Sequence, residues 1–330
     1  MTLAGKIVFV TGATGFLGGA LARKLAEEGA QVRALARSPE KAQFIRDVPG
    51  IDIVQGDVTH ADRMRALSAG CDYVFHAAAS FGNWDDQRRV NVEGTRHVMQ
   101  AAAAAQVQRV VHVSSIAVYG YHRAGHITEE QPISATLREP YSATKAEAEA
   151  VVREVAAEHG LSYAIIRPGM IYGPRSEQWT LTMFRVARRR PVIWIGDGNG
   201  STFPIHVDDV VRLMLVLATH PNAHNQTFNG VHHQPVTWRE FLLHYARLAG
   251  HQRWFGLPPG LMSAFARITS ALAPATSRAK AAPEAIRGLQ AQGVIDMSKA
   301  RNLLGWEAKI DLATGIQSCE PYLREKGLLR

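Results

Sequence analysis

The chain has 330 residues, 46% hydrophobic and 20% charged, and carries a formal net charge of +8. This composition belongs to a globular protein that buries a large core, with length for one main domain and a smaller lobe. It excludes a disulfide scaffold, since Cys71 and Cys319 make no framework and show no metal-ligand spacing. The cations are dispersed, with Arg188-Arg189-Arg190 as the one tight run, and do not read as a nucleic-acid surface.

Met1 to Lys6 leads straight into the apolar run Ile7-Val8-Phe9-Val10, without the basic, apolar, small order of a signal peptide. A cytoplasmic location is therefore expected, with both thiols as inert small hydrophobes. Behind this run stands Thr11-Gly12-Ala13-Thr14-Gly15-Phe16-Leu17-Gly18, and a helical stretch extends from Leu17 to Glu28. A buried strand feeding a glycine turn and a helix aims free backbone N–H groups and the positive helix end at a phosphate. Gly12 permits the tight turn, Gly15 admits a diphosphate close to the backbone, and Gly18 lets the helix sit close on the sheet. With Thr14, Phe16 and Leu17 lining it, the segment reads as a dinucleotide cradle, because an ordinary strand-to-helix turn does not need three glycines at this spacing.

Strand-like runs follow at Gln31 to Ala36, Ile51 to Val54, Tyr73 to Ala77, Val110 to Ser114 and Ser162 to Arg167. They alternate with helical stretches, of which Glu93 to Ala105 and Tyr141 to His159 are the best defined. Such alternation predicts an α/β protein built on a Rossmann-type doubly wound parallel sheet with helices on both faces. Right-handed crossovers put the first three strands in one half and the others beyond the switch point. After Pro174 the pattern loosens. Residues 1–174 are read as the dinucleotide-binding domain, with 201–221 returning to it through Pro204 to Asp209, and 175–200 and 222–330 as a smaller, discontinuous C-terminal substrate lobe.

Within that lobe the adjacent His232 and His233 should diverge on a strand, and the fourteen histidines show no metal pattern, so no metal is expected. Leu257-Pro258-Pro259-Gly260 precedes a helix on which Leu261, Phe265, Ile268 and Leu272 share a face. It is too short, and interrupted by Arg267, to span a bilayer. Core packing or a lid over an apolar pocket is the first reading of this face and peripheral membrane contact the second. Ala273 to Pro283, rich in Ala and Pro, is read as a mobile loop.

The chemistry concentrates at Tyr141 and Lys145, one helical turn apart and projecting to the same side. A free phenol titrates at about 10, too high for a base near neutrality, and a nearby ammonium favours its phenolate. The spacing thus reads as an acid/base pair.

Together with the glycine turn, the segments Gly56-Asp57-Val58, His76 to Ala79, Asn91 to Thr95, Val113-Ser114-Ser115, Val118-Tyr119-Gly120, Tyr141 to Lys145 and Arg167-Pro168-Gly169 resemble the extended short-chain dehydrogenase/reductase superfamily, in its branch called NAD-dependent epimerase/dehydratase. Asp296 to Arg301, followed by Leu304-Gly305-Trp306, is similar to the family's C-terminal ending, so the resemblance covers nearly the whole chain. It implies that Tyr141 transfers the proton at the substrate hydroxyl or carbonyl, that Lys145 also bonds the nicotinamide ribose, and that Ser115 holds the substrate oxygen. It further implies that Asp57 bonds the adenine amino group with Val58 packed near it. Ala77, Ala78 and Ala79 would line the ribose and phosphate path, and Pro168 to Ile171 would wall the nicotinamide. Asn91 reads either as a side-chain or water contact at this site or as a helix N-cap before Val92.

NAD-preferring relatives carry an acid at the end of the second strand, where this chain has Ala36, Arg37 and Ser38. A guanidinium beside a hydroxyl suits a 2′-phosphate, so NADP is expected, with NAD as the alternative. Nucleotide-sugar dehydratases of the family need an Asp-Glu pair where this chain has Ile116-Ala117, which disfavours dehydration. Epimerases commonly place an arginine where Thr202-Phe203-Pro204 stands, although Arg175 or Arg188 to Arg190 could substitute. Gly196 to Asn199, Gln226 to Asn229, Pro235 to Phe241 and the helix after Leu257 resemble the 3β-hydroxysteroid/sterol dehydrogenase and dihydroflavonol reductase branch. The expectation is hydride transfer between NADP(H) and a secondary alcohol or ketone on a fairly apolar, sterol-like or polycyclic substrate. A nucleotide-sugar epimerase retaining NAD is the alternative, and a non-catalytic dinucleotide sensor is the alternative of another class. The resemblance also implies a homodimer, paired through the helices from Thr95 and Tyr141.

Overall fold

The structure is a computed structural model that describes residues 2–120, 124–133, 139–272 and 286–329; the Ala273 to Pro283 segment lies outside them. In chain order the first elements are β1 (Ile7–Thr11), α1 (Phe16–Glu27), β2 (Gln31–Ala36), β3 (Ile51–Gln55), α2 (Ala61–Ser68), β4 (Tyr73–His76), α3 (Trp84–Gln87) and α4 (Gly94–Ala104). Next come β5 (Arg109–Val113), β6 (Gly125–Ile127), α5 (Pro140–His159), β7 (Tyr163–Pro168), β8 (Met170–Tyr172), α6 (Met183–Ala187), β9 (Val192–Ile195), β10 (Ser201–Thr202) and β11 (Pro204–His206). The chain continues through α7 (Val207–Thr219), β12 (Gln226–Gly230), β13 (Val236–Thr237), α8 (Trp238–Leu248), β14 (Trp254–Leu257), α9 (Pro259–Leu272) and β15 (Gly293–Ile295), and closes with the short helices Ser298–Leu304, Leu312–Gln317 and Glu320–Glu325.

Seven parallel strands form the central sheet in the order β12-β7-β5-β4-β1-β2-β3. Runs such as Ile7 to Thr11 and Arg109 to Val113 are almost wholly buried, as strands covered on both faces must be. Alternate side chains serve opposite cores. Val8, Val10, Val32, Ala34, Phe75, Val111 and Ile166 pack with Leu21 and Leu25 of α1 and with Leu213, Met214 and Leu217 of α7. Phe9, Leu35, Val74, Val110 and Ile165 pack with Met64 of α2, Val98 and Met99 of α4, and Val151, Val152 and Val155 of α5. Each such large apolar side chain contributes roughly 1.5–3 kcal/mol when fully buried, so the two cores fix the strand ends on which function depends.

The strand order reverses between β1 and β4, whose neighbouring ends pair Thr11 with His76. A ligand crevice is expected at this switch point, outside the carboxyl ends of the strands. One assignment changes: β12 lies at the edge of the central sheet beside β7, although its residues had been read as part of the substrate lobe. His232 and His233 follow this strand instead of lying on it, and their rings stack at 4.5 Å instead of diverging.

A third core gathers part of the C-terminal half, while Ile295, Met297, Leu304 and Trp306 join the first. Tyr172, Phe184, Trp238, Phe241, Leu242 and Tyr245 pack with Ile316 and Leu323 from the C-terminal helices. Outside the central sheet lie four two-stranded pairings: β8 with β11, β9 with β14, β10 with β13 and β6 with β15. Cys71 and Cys319 are both free and buried, and burial pushes the Cys319 thiol up to about 11.

Candidate active site

β1 delivers the glycine turn to the crevice. Gly12 has φ +72°, and a Cβ there would lie 2.8 Å from the Ala77 carbonyl and the Ala78 nitrogen, so only glycine lets the turn pass the exit of β4. Gly15 is the N-cap of α1; no side chain caps the helix and no acid stands in its first turn. The first N–H groups of α1 therefore remain available for an anion, and the residues Gly12 to Gly18 fit a diphosphate. A Cβ at Gly18 would fall 2.2 Å from the Gly12 carbonyl oxygen, so this glycine lets α1 close on the turn itself and not, as expected, on the sheet. Thr14, Phe16 and Leu17 occupy the turn and the start of α1.

At the adjoining strand ends, the Ala78 N–H donates to Thr11 Oγ1 at 3.2 Å, tying the Ala77 to Ala79 segment to the turn. Beyond β2, Arg37 is exposed and Ser38 half-buried. The Gly56 N–H donates to the Ala36 carbonyl at 3.1 Å, which sets Asp57 beside that strand end. One Asp57 oxygen accepts from Thr59 N–H and Oγ1, each at 2.9 Å. Val58 is buried against α4, where a Cβ on Gly94 would meet its side chain at 2.7 Å.

α5 is set by its own sequence. Glu139 caps it, accepting from the Tyr141 N–H at 3.1 Å and the Ser142 N–H at 2.9 Å, Pro140 fills the first turn, and Gly160 ends it at φ +64°. This places Tyr141 in the first helical turn, where its hydroxyl shares a hydrogen bond with Ser115 at the end of β5. Ser115 Oγ also accepts the Ala117 N–H at 3.1 Å. Lys145, one turn on, is 3% exposed and donates to the Val113 carbonyl at 2.7 Å.

The electrostatics differ from the expectation for this pair. Burial pushes the Tyr141 phenol up to about 12, against the pull of the Ser115 bond, and the Glu139 carboxylate pushes it further the same way. Burial pushes Lys145 down to about 8, with Glu149 opposing. Lys145 is turned onto a strand carbonyl and does not bring the phenol down. As arranged, the phenol is a proton donor near neutrality, and with Ser115 it can hold an oxygen placed between the two hydroxyls.

Asn91 lies within a π-helical turn, Arg88–Glu93, that runs into α4, so it is not an N-cap. Its Oδ1 accepts the Ser80 N–H at 2.7 Å, and its Nδ2 donates to the Ser80 carbonyl at 3.2 Å and Thr144 Oγ1 at 3.0 Å, linking the strand-end loop to α5. Pro168 closes β7. Gly169 passes so near Phe203 that a Cβ would fall 2.1 Å from its carbonyl oxygen, and Ile171 pairs with Ile205 in the β8–β11 ladder.

Several groups escaped sequence reasoning. Glu149, four residues after Lys145 and fully buried, accepts from Arg167 Nε at 2.8 Å and its terminal nitrogen at 2.7 Å, from Ser114 Oγ at 2.6 Å and from Arg153 at 2.8 Å. Burial alone would push this carboxyl up; the bonds and charge of Arg167, helped by Ser114 and Arg153, hold it below its ordinary value. Arg167 also donates to the Tyr119 hydroxyl at 2.9 Å. The signal was a lone acid on the buried face of α5. Phe81 stacks on Tyr141 with ring centroids 4.9 Å apart. His76 bonds Thr11 and Thr95 at 2.8 and 2.9 Å, and burial, with Lys145 adding, pushes it down to about 3. The neighbouring His112 ring, 5.3 Å away and fully buried, has neither nitrogen partnered.

A glycine turn at the switch point of a doubly wound sheet, with Ser115, Tyr141 and Lys145 at the next strand ends, is the arrangement expected of a dinucleotide-dependent enzyme of the extended short-chain dehydrogenase type. Residues 8–229 match the NAD dependent epimerase/dehydratase family, and the chain belongs to it. The family's members are NAD-dependent dehydrogenases, reductases, epimerases and dehydratases. Among curated proteins the chain is similar to a 4-hydroxy-2-methyl-3-oxo-4-farnesyl-3,4-dihydroquinoline-1-oxide ketoreductase of Stigmatella aurantiaca, 32% identical over 97% of this chain and 96% of that protein. It is 28% identical to a 3 beta-hydroxysteroid dehydrogenase/Delta 5-->4-isomerase of Mycobacterium tuberculosis, over 96% and 90% of the two chains. Among solved structures it is similar to MoeE5 in complex with UDP-glucuronic acid and NAD, with a TM-score of 0.76 and 25% identity over 98% of this chain and 100% of that one.

Proposed function

We propose that this enzyme transfers a hydride between NADP(H) and a secondary alcohol or ketone on a fairly apolar, sterol-like or polycyclic substrate. The observation that carries the reading is the Ser115–Tyr141 hydroxyl pair at the mouth of the crevice, with Lys145 one turn behind it. A bound nicotinamide supplies or takes the hydride. In the reducing direction Tyr141, protonated with its phenol pushed up to about 12, gives its proton to the carbonyl oxygen as the carbonyl carbon becomes tetrahedral. Ser115 donates a hydrogen bond to the same oxygen and stabilises the charge gathering there. Lys145, which lies on the Val113 carbonyl and does not lower the phenol, has the part of bonding the nicotinamide ribose.

An apolar substrate is supported by the names of the farnesyl-quinoline and steroid relatives. Arg37 and Ser38 beyond β2 support NADP, since they offer a cation and a hydroxyl where an acid would favour NAD. The reading includes a homodimer through α4 and α5, tested by sedimentation velocity. The second reading, a nucleotide-sugar epimerase, is supported by the likeness to MoeE5 bound to UDP-glucuronic acid and NAD. The experiment follows the absorbance of reduced nicotinamide with a panel of apolar ketones. Oxidation of NADPH with one of them is expected, whereas isomerisation of a UDP-sugar without net cofactor turnover would overturn the proposal in favour of the second reading.

A further inference from the structure

Ten large hydrophobic side chains are exposed among the described residues, and five of them, Ile193, Phe255, Leu261, Phe265 and Ile268, fall on one stretch of the surface. Ile193 and Phe255 are register partners on the β9–β14 ribbon and therefore stand side by side on one face. The ribbon runs into α9, and a Cβ on Gly196 would lie 3.3 Å from Pro259, so the two elements abut. On α9, Leu261, Phe265 and Ile268 follow helical i, i+4, i+7 spacing at 60–69% exposure, while Ala266 is its one buried residue among those described. Among the described residues this face of the helix is therefore outside the core.

The two stretches of chain that carry the face are basic, with the exposed acids Glu177, Asp197 and Glu240 at their borders. Residues 178–196 and 241–272 contain Arg185, Arg188, Arg189, Arg190, Arg247, Arg253 and Arg267 and not one aspartate or glutamate. These seven arginines are all exposed. They account for all but one unit of the net charge of +8, so the rest of the chain is close to neutral. A second copy of this chain would set arginine against arginine, and a nucleic acid would leave the apolar side chains uncovered. An anionic bilayer surface satisfies both, taking the apolar side chains among its acyl chains and the guanidiniums among its phosphates.

We infer that the β9–β14 ribbon and α9 dock this enzyme on the surface of an anionic phospholipid membrane. The inference is independent of the catalytic roles given to Ser115, Tyr141 and Lys145. Docking is measured by co-sedimentation of the full chain with phosphatidylcholine vesicles, with and without phosphatidylglycerol. Binding to the anionic vesicles that weakens with added salt is expected, with little binding to phosphatidylcholine alone. Leu261→Ser with Phe265→Ser and Ile268→Ser, and separately Arg188→Gln with Arg189→Gln and Arg190→Gln, should each weaken partitioning by at least about tenfold. Both sets lie on exposed positions and should leave the Tm unchanged. Should the apolar set fail to fold, Phe265→Ser alone is read in its place. The inference fails if the wild type stays in the supernatant, or if either set binds like the wild type. It also fails if the apolar set instead dissolves a dimer, or if an oligonucleotide is bound more tightly than the anionic vesicles.

Discussion

In the proposed reaction Tyr141 is the proton donor, its phenol pushed up to about 12 by burial. Replacing Tyr141 with Phe removes the transferable proton and the Ser115 bond and leaves the ring on Phe81, so kcat should fall by about 10²–10⁴ while nucleotide affinity and Tm hold. Steady-state kinetics with a nucleotide titration would show it. Lys145 gives a prediction with a sign. Its ordinary value is 10.5 and burial lowers it to about 8 in the fold, so between these values the unfolded chain holds a proton that the folded chain has released. Stability should rise with pH across that window, and the penalty for burying the ammonium is complete below pH 8. Lys145→Met should accordingly be inactive yet more stable at neutral pH, by up to about 3 kcal/mol, with the advantage fading as pH approaches 10.5. Urea unfolding at several pH values tests this, and a pH-independent difference would refute it. Arg37→Asp should move preference from NADPH toward NADH; unchanged affinity for NADPH would remove Arg37 from the cofactor site.

At the scale of elements, α5 is held to the sheet by a buried carboxylate as well as by its apolar stripe. Glu149 binds Arg167 of β7 and Ser114 at the end of β5, next to the serine that meets Tyr141. Glu149→Gln leaves the 2%-exposed Arg167 without its counter-charge and should cost about 3–5 kcal/mol. Glu149→Leu combined with Arg167→Met should cost less than either single change, which thermal melts of the set would establish. The helix and its acid/base spacing were legible in the sequence because Tyr141, Lys145 and the Val151-Val152-Val155 stripe declare themselves locally. The carboxylate was not, since its meaning comes from three side chains on other turns and strands. The direction of the phenol's shift was hidden for a like reason: nothing local to α5 announces that Lys145 reaches the Val113 carbonyl.

At the scale of the molecule, six of the seven strands of the central sheet could be read because most of them are near-continuous apolar runs buried on both faces. β12 was harder. Gln226 to Gly230 offers only Phe228 to the core, and what makes it a strand is its long-range pairing with β7. The four two-stranded pairings are shorter than any periodicity can detect. If the cradle takes NADP(H), a saturating nucleotide at one hundred times its Kd should add about 2.7 kcal/mol to stability. Thermal shifts should then be larger with NADPH than with NADH at equal concentration.

The place of β12 bears on how the chain is made. β7 is paired on one side by β5, and its other side is paired by β12, with Asn225 just before it bonding Tyr163. A nascent chain that has emerged only as far as residue 174 therefore presents a bare, apolar strand edge, the kind of template on which neighbouring chains assemble. A fragment ending at residue 174 should aggregate during translation, and release of a well-behaved sheet has to wait until residue 230 has left the ribosome.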